Sequence, residues 1–165
     1  MIGICNGFQA LIKLGLVPFG KIVPLSSESP TLTYNTIGRH QSQLALTKIC
    51  TNKSPWLMHC KVGEVYNIPI SHGEGRFVAS DEVIAKLIEN GQIATQYVDL
   101  NGEPTMALAY NPNSSMCAIE GIISPDGRVL GKMGHTERIS SDTCVNVDGN
   151  KEQLLFKGGV DYFRI

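Results

Sequence analysis

The chain has 165 residues, is 42% hydrophobic and only 18% charged, and carries a formal net charge of −1. That balance leaves no basic patch for nucleic acid, no acidic tail, and no apolar run of the ~18 residues that a membrane-spanning helix needs. The length suits one domain over 1–165 with a sizeable core.

Gly3-Ile4-Cys5-Asn6-Gly7-Phe8-Gln9 reads as a nucleophile elbow, a short apolar lead-in followed by a Gly-x-Cys-x-Gly turn and a helix. The sharp turn brings neighbours two before and two after into close contact, so Gly3 and Gly7 are expected to keep Cβ atoms out of the way. Cys5 at a helix N-terminus is expected to have its pKa lowered from about 8.5, and the Asn6 amide is placed to stabilise an oxyanion. Phe8, Leu11, Ile12 and Leu14 predict a short apolar helix stopped at Gly15.

The N-terminus lacks the basic-then-apolar layout of a signal peptide. Five cysteines, with no Cys-x-x-Cys pair, argue against a disulfide framework and a structural zinc site, so the cytoplasm is the expected compartment. Cys50, Cys60, Cys117 and Cys144 are expected to be reduced core or strand residues.

Strands are predicted at 31–37, 43–50 and 62–70, the last apolar enough to be an inner strand. It delivers the chain to Ser71-His72-Gly73-Glu74-Gly75-Arg76-Phe77, where a glycine-rich loop lets backbone approach a small polar ligand. Ser80 should cap a helix over 81–90 that packs through Val83, Ile84, Leu87 and Ile88 and stops at Gly91. Beyond it, strands are predicted at 92–100, 105–110, 117–123 and 128–133, with turns at Asn101-Gly102 and 124–127 and a loop at Asn111-Pro112-Asn113-Ser114-Ser115. At the end of the last strand, His135 and Glu137 on an extended segment should point the same way, so the carboxylate can fix the imidazole while its other nitrogen faces a nucleophile. With Cys5 they form a candidate Cys-His-Glu triad. The tail is turn-rich over 140–150, and 160–165 is expected to pack against the body.

Three stretches, Gly-Ile-Cys-Asn-Gly-Phe-Gln, Ile-Ser-His-Gly-Glu-Gly-Arg-Phe and Gly-Lys-Met-Gly-His-Thr-Glu-Arg, resemble in order and spacing the class I (triad-type) glutamine amidotransferases. The His-Gly-Glu-Gly loop and the Asn-Pro-Asn-x-Ser segment bring the match closest to the glutaminase domains of the formylglycinamide ribonucleotide amidotransferases of purine biosynthesis. The resemblance implies an α/β, flavodoxin-like amidotransferase fold with a β-rich second half. It implies that Cys5 attacks the glutamine amide, His135 serves as base and acid, Glu137 orients it, and Asn6 lends an oxyanion amide. Gln9, His72, Gly73, Glu74 and Gly75 would hold glutamine or shape its pocket. No cofactor or metal is implied for this domain. ATP and Mg would belong to a synthetase domain that receives the ammonia.

Two departures from the family pattern stand out. Thr136 replaces the usual Pro between His and Glu, which is expected to loosen the loop slightly. Only Met1-Ile2-Gly3-Ile4 precedes Cys5, where relatives place several strands, helices and a second oxyanion loop. The expectation is an N-terminally truncated piece with little or no glutaminase activity, because one oxyanion donor alone is worth roughly two to three orders of magnitude. An open sheet edge would then invite self-association. The alternatives are a non-catalytic scaffold, or a cysteine hydrolase of the same fold acting on another amide.

Overall fold

A computed structural model describes residues 1–164; Ile165, the last residue of the expected tail segment, lies outside the described residues. The described residues form eight strands and four α-helices in a mixed α/β arrangement. Strand β1 (Ile2–Ile4) leads through Cys5 into helix α1 (Asn6–Leu14), and Gly15 ends that helix in the left-handed conformation, as its sequence predicts. An irregular turn, α2 (Leu16–Phe19), follows. Then come β2 (Thr31–Thr33), β3 (Gln41–Ile49), β4 (Val65–His72) and β5 (Arg76–Val78). Helix α3 (Asp81–Glu89) precedes β6 (Ile93–Tyr97), β7 (Ile119–Ile123) and β8 (Leu130–Lys132), and α4 (Leu155–Tyr162) comes last.

Six strands form one sheet in the order β1-β8-β7-β6-β3-β4, while β2 and β5 pair separately. Only β1 and β8 run parallel in the larger sheet. Strand β4 occupies an edge rather than the interior expected of it. Its alternation explains both readings: Tyr66, Ile68, Ile70 and His72 are buried and the residues between them are half-buried, so one face is apolar although one side has no strand partner. Pro69, which has no N–H to donate, suits an edge. At the opposite edge, β1 pairs only with β8 among the described residues.

Helix α1 lies on β1 and β8 and buries Phe8, Leu11 and Ile12 against Ile119, Ile122 and Met133. A second cluster, built from Ile49, Leu57, Tyr66, Ile68, Ile123, Leu130 and Leu155, includes α4. Strand β7 is buried along its whole length, and its Ile122 and Ile123 belong to different clusters. Ser80 caps α3 by accepting the Val83 N–H, yet only Ile84 and Leu87 of the predicted stripe are buried; Ile88 is 61% exposed because the helix lies at the surface and one narrow face suffices. Residues 105–107 are irregular and 108–110 a turn instead of a returning strand, since pairing stops at the single Val98–Pro104 bridge. Cys117 is exposed, contrary to its expected place in a strand, because a short 3-10 turn at Met116–Ala118 precedes β7; all five cysteines are free. No helix among the described residues is long and apolar enough to cross a membrane.

Candidate active site

Cys5 sits between β1 and α1 with φ 52° and ψ −105°, a conformation that a side-chain-bearing residue adopts only under constraint, at a cost of about 1–3 kcal/mol. The constraint is visible on both sides. The Cys5 N–H continues the parallel ladder to the Lys132 carbonyl at 2.8 Å, and the Cys5 carbonyl already accepts the Gln9 N–H of α1. Gly3 meets the predicted requirement: a Cβ there would stand 2.5 Å from Leu11 Cδ1 and 2.7 Å from the Gly7 backbone. Gly7 does not, since a Cβ at that position meets nothing within 4 Å; the helix leaves the turn in a direction that clears it.

The thiol is half-buried, and burial pushes its pKa up, not down as the helix terminus suggested. The Asn6 backbone amide and the Arg138 charge pull it back, while Glu137 adds to the rise. Desolvation of the sulfur outweighs one amide and a nearby cation. The thiol donates to the Ser71 carbonyl at 3.7 Å.

His135 follows β8 by three residues and is 6% exposed. Its backbone N–H donates to the Pro69 carbonyl at 2.8 Å, so the histidine and the cysteine are both tied to β4, two residues apart. Its Nδ1 lies 2.5 Å from Glu137 Oε1. An ionised carboxylate only accepts, so in the neutral ring the proton is on Nδ1 and Nε2 carries the free lone pair. That Nε2 is buried with no hydrogen-bond partner among the described residues. The imidazole and the thiol therefore do not hydrogen-bond each other in this arrangement; the protonated sulfur takes the carbonyl acceptor instead.

The His135–Glu137 contact forms without the extended segment expected for it. Residues Thr136–Arg138 make one 3-10 turn, and the tight turn brings the carboxylate back onto the ring. Nor does Thr136 loosen the loop. It is buried, its hydroxyl donates to Gln153 Oε1 at 2.7 Å, and it accepts from Lys132 Nζ at 3.1 Å. A cavity of about 200 Å³ behind this turn is lined by Thr136, Ile139, Gln153 and Phe156 among others, and its lining does not include Cys5.

The His72-Gly73-Glu74-Gly75 loop is held through every carbonyl it has. Asn35 donates to His72 and Gly73, Gln9 Nε2 donates to Glu74 at 2.6 Å, and Asn113 Nδ2 donates to Gly75 at 2.7 Å. Gln9 thus links α1 to the loop. The imidazole of His72 is 4% exposed, with Nδ1 on Asn35 Oδ1 and Nε2 unpartnered, and burial lowers its pKa to about 4. A Cβ on Gly75 would stand 2.7 Å from that ring. Glu74 projects its side chain to solvent and Asn6 is also exposed. Asn35, Asn113 and Ser115, which hold the loop carbonyls, are site residues that the sequence pattern does not single out. The signal available was the Asn-Pro-Asn-x-Ser segment, whose buried amides and hydroxyl close on one another and on Gly75.

A strained cysteine on a strand-to-helix turn, with a His-Glu couple on the next strand end, places the chain among α/β domains built around a nucleophile elbow. The CobB/CobQ-like glutamine amidotransferase domain matches residues 1–163, and the chain belongs to that family. It is 36% identical over 149 residues to phosphoribosylformylglycinamidine synthase subunit PurQ of Aquifex aeolicus, covering 90% of this chain and 60% of that protein. It is 35% identical over 162 residues to the same subunit of Methanocaldococcus jannaschii, covering 98% and 64%. The solved structure of PurLQS from Thermotoga maritima matches with a TM-score of 0.70 and 26% identity, over 99% of this chain and 61% of that one. The chain spans about three fifths of the length of these relatives.

Proposed function

We propose that this chain belongs to the glutaminase part of a phosphoribosylformylglycinamidine synthase, the part that releases ammonia from glutamine for a synthetase partner using ATP and Mg to amidate formylglycinamide ribonucleotide, and that on its own it has little or no glutaminase activity. The observation that carries the proposal is the His135-Glu137 couple, with its bare Nε2, anchored to the same strand as the Cys5 thiol.

The chemistry follows from those groups. The thiol turns from the Ser71 carbonyl to Nε2, which takes its proton as the sulfur attacks the amide carbon of glutamine. Glu137 stabilises the imidazolium that forms. The backbone N–H of Asn6, the residue after the nucleophile, donates to the oxyanion. The imidazolium returns its proton to the departing nitrogen, ammonia leaves, and a γ-glutamyl thioester remains. Water then attacks the thioester with Nε2 as base, the C–S bond breaks, the imidazolium returns its proton to the Cys5 sulfur, and glutamate leaves. A half-buried thiol with a raised pKa requires this coupled transfer, since little free thiolate exists at neutral pH. Gln9 and the held loop over 72–75 shape the substrate side of the site.

A diazo-ketone analogue of norleucine tests the reading. Covalent labelling at Cys5, mapped by peptide mass spectrometry and blocked by glutamine, supports it. Labelling by generic thiol reagents alone favours a hydrolase of another amide, and no labelling at all favours a scaffold.

A further inference from the structure

Beneath the His135 turn lies a charge pair that the proposed chemistry does not use. Lys132 and Glu120 are both fully buried, on the adjacent strands β8 and β7, with Nζ 3.5 Å from Oε1. Two charges out of water persist only where their remaining hydrogen-bonding capacity is filled. Here it is filled largely by the residues on both sides of His135, the backbone of Gly134 and the hydroxyl of Thr136. Lys132 Nζ donates to the Gly134 carbonyl at 2.8 Å and to the Thr136 hydroxyl at 3.1 Å. Glu120 Oε1 accepts the Gly134 N–H at 2.5 Å, and its Oε2 accepts the Thr95 hydroxyl. The ammonium thus donates to two oxygens and faces the carboxylate as an ion pair, and both polar groups of Gly134 are bound to the pair.

The fit extends to the glycine. A Cβ on Gly134 would stand 3.0 Å from Glu120 Oε1 and 3.1 Å from Lys132 Nζ, so the backbone approaches the charges as closely as the absence of a side chain permits. Thr136 passes the constraint on to Gln153 Oε1. His135, between Gly134 and Thr136, has its backbone N–H on Pro69 and its ring on Glu137. With Nδ1 on Glu137 as the ring's one hydrogen bond, the place of Nε2 depends on that contact and on the peptide units that the ion pair grips.

We propose that Lys132 and Glu120 are positioning residues that fix the His135 imidazole towards Cys5 by clamping the backbone of Gly134 and the hydroxyl of Thr136. This rests on His135 acting as the base for Cys5. Neither charge touches substrate.

The test measures the rate of Cys5 alkylation by iodoacetamide at pH 7.5, read by peptide mass spectrometry, beside the thermal midpoint of the intact chain. His135→Ala comes first: a rate unchanged from the parent would remove the base reading itself, separately from the clamp. The informative variant is Glu120→Leu/Lys132→Met, which fills the space with apolar groups and removes both charges. The double variant leaves no unpaired buried charge, although the Gly134 N–H and carbonyl and the Thr95 and Thr136 hydroxyls lose their partners. The expected result is a folded protein with a lowered thermal midpoint and, well below that midpoint, Cys5 alkylated about tenfold to a hundredfold more slowly, the range for a base displaced by about an ångström. A folded double variant that keeps the parent's alkylation rate makes the pair merely structural and overturns the proposal. If that double variant does not fold, Thr136→Val decides. It keeps shape and both charges and removes only the hydroxyl, and an alkylation rate equal to the parent's would overturn the clamp.

Discussion

Replacing Glu137 by Gln tests the tightest contact of the site with little change in shape. The parent contact is 2.5 Å from Nδ1 to Oε1, and the carboxylate is 39% exposed on its side chain. Once Nε2 takes the thiol proton, the ring carries a full charge about 4 Å from the carboxylate charge, which at an effective dielectric of about 20 is worth ~4 kcal/mol. Solvent reaches Glu137, so about half of that, ~2 kcal/mol, is the better figure. An uncharged amide forfeits it, and its NH2 can also donate to Nδ1, moving the ring proton to Nε2 and removing the base. The expected loss in the rate of Cys5 labelling by the diazo-ketone analogue is therefore at least roughly 30-fold, rising towards 10³ if the wrong tautomer prevails. Stability should fall by less than about 1 kcal/mol, because an exposed pair contributes little to folding. Time-resolved mass spectrometry of labelling, with thermal melts alongside, gives both quantities. A variant that labels within about twofold of the parent would refute the assignment of Glu137 as the group that orients and compensates His135.

Other consequences can be checked independently. Burial holds the His72 pKa at about 4, below the 6.5 of the unfolded chain, so between these values the unfolded state binds more protons. Its stabilising contribution is complete above pH 6.5 and is lost as pH falls to 4, on the order of 3 kcal/mol in all; urea titrations across that window should show the slope, and His72→Gln should flatten it. Asn113→Ala removes its bonds to the Gly75 carbonyl, the Tyr97 hydroxyl and Ser115, although Gly75 keeps the Ser115 hydroxyl and the Ser115 N–H keeps Asn111, with an expected cost of about 1–2 kcal/mol by denaturant unfolding and faster hydrogen exchange in the 72–75 loop. Gly3→Ala puts a methyl group 2.5 Å from Leu11 Cδ1 and into the Gly7 backbone, so it should lower stability by about 1–3 kcal/mol and slow Cys5 labelling, whereas Gly7→Ala, with open space around it, should leave both close to the parent's values.

Much of the site is legible from residue types and spacing because its determinants are local. The elbow needs a small residue before the cysteine and an apolar helix behind it, and Gly3, Phe8 and Leu11 state both. The Ser80 cap and the Gly15 stop are equally local signals. What escapes the sequence depends on partners distant along the chain. The apolar alternation of β4 says which face is buried but not whether a strand lies on each side. Helix α4 carries Gly158 and Gly159 in its middle, which argues against a helix until Trp56 is seen packed where their side chains would be. Glu120 and Lys132 look like solvent-facing residues of half-buried strands, and only the closing of both faces over β7 and β8 turns them into a buried pair. The direction of the Cys5 pKa is missed for the same reason: a helix terminus is a local feature, and desolvation is not.

Strand β4 offers the carbonyl of Ser71 to the sulfur and that of Pro69 to the histidine backbone, so residues 130 positions apart take their alignment from a single rail. Lengthening or rerouting the intervening surface connections leaves that common datum in place, which gives such a domain wide freedom to vary its outer loops. A slip of β4 against β3, by contrast, would carry both reactants off their marks together.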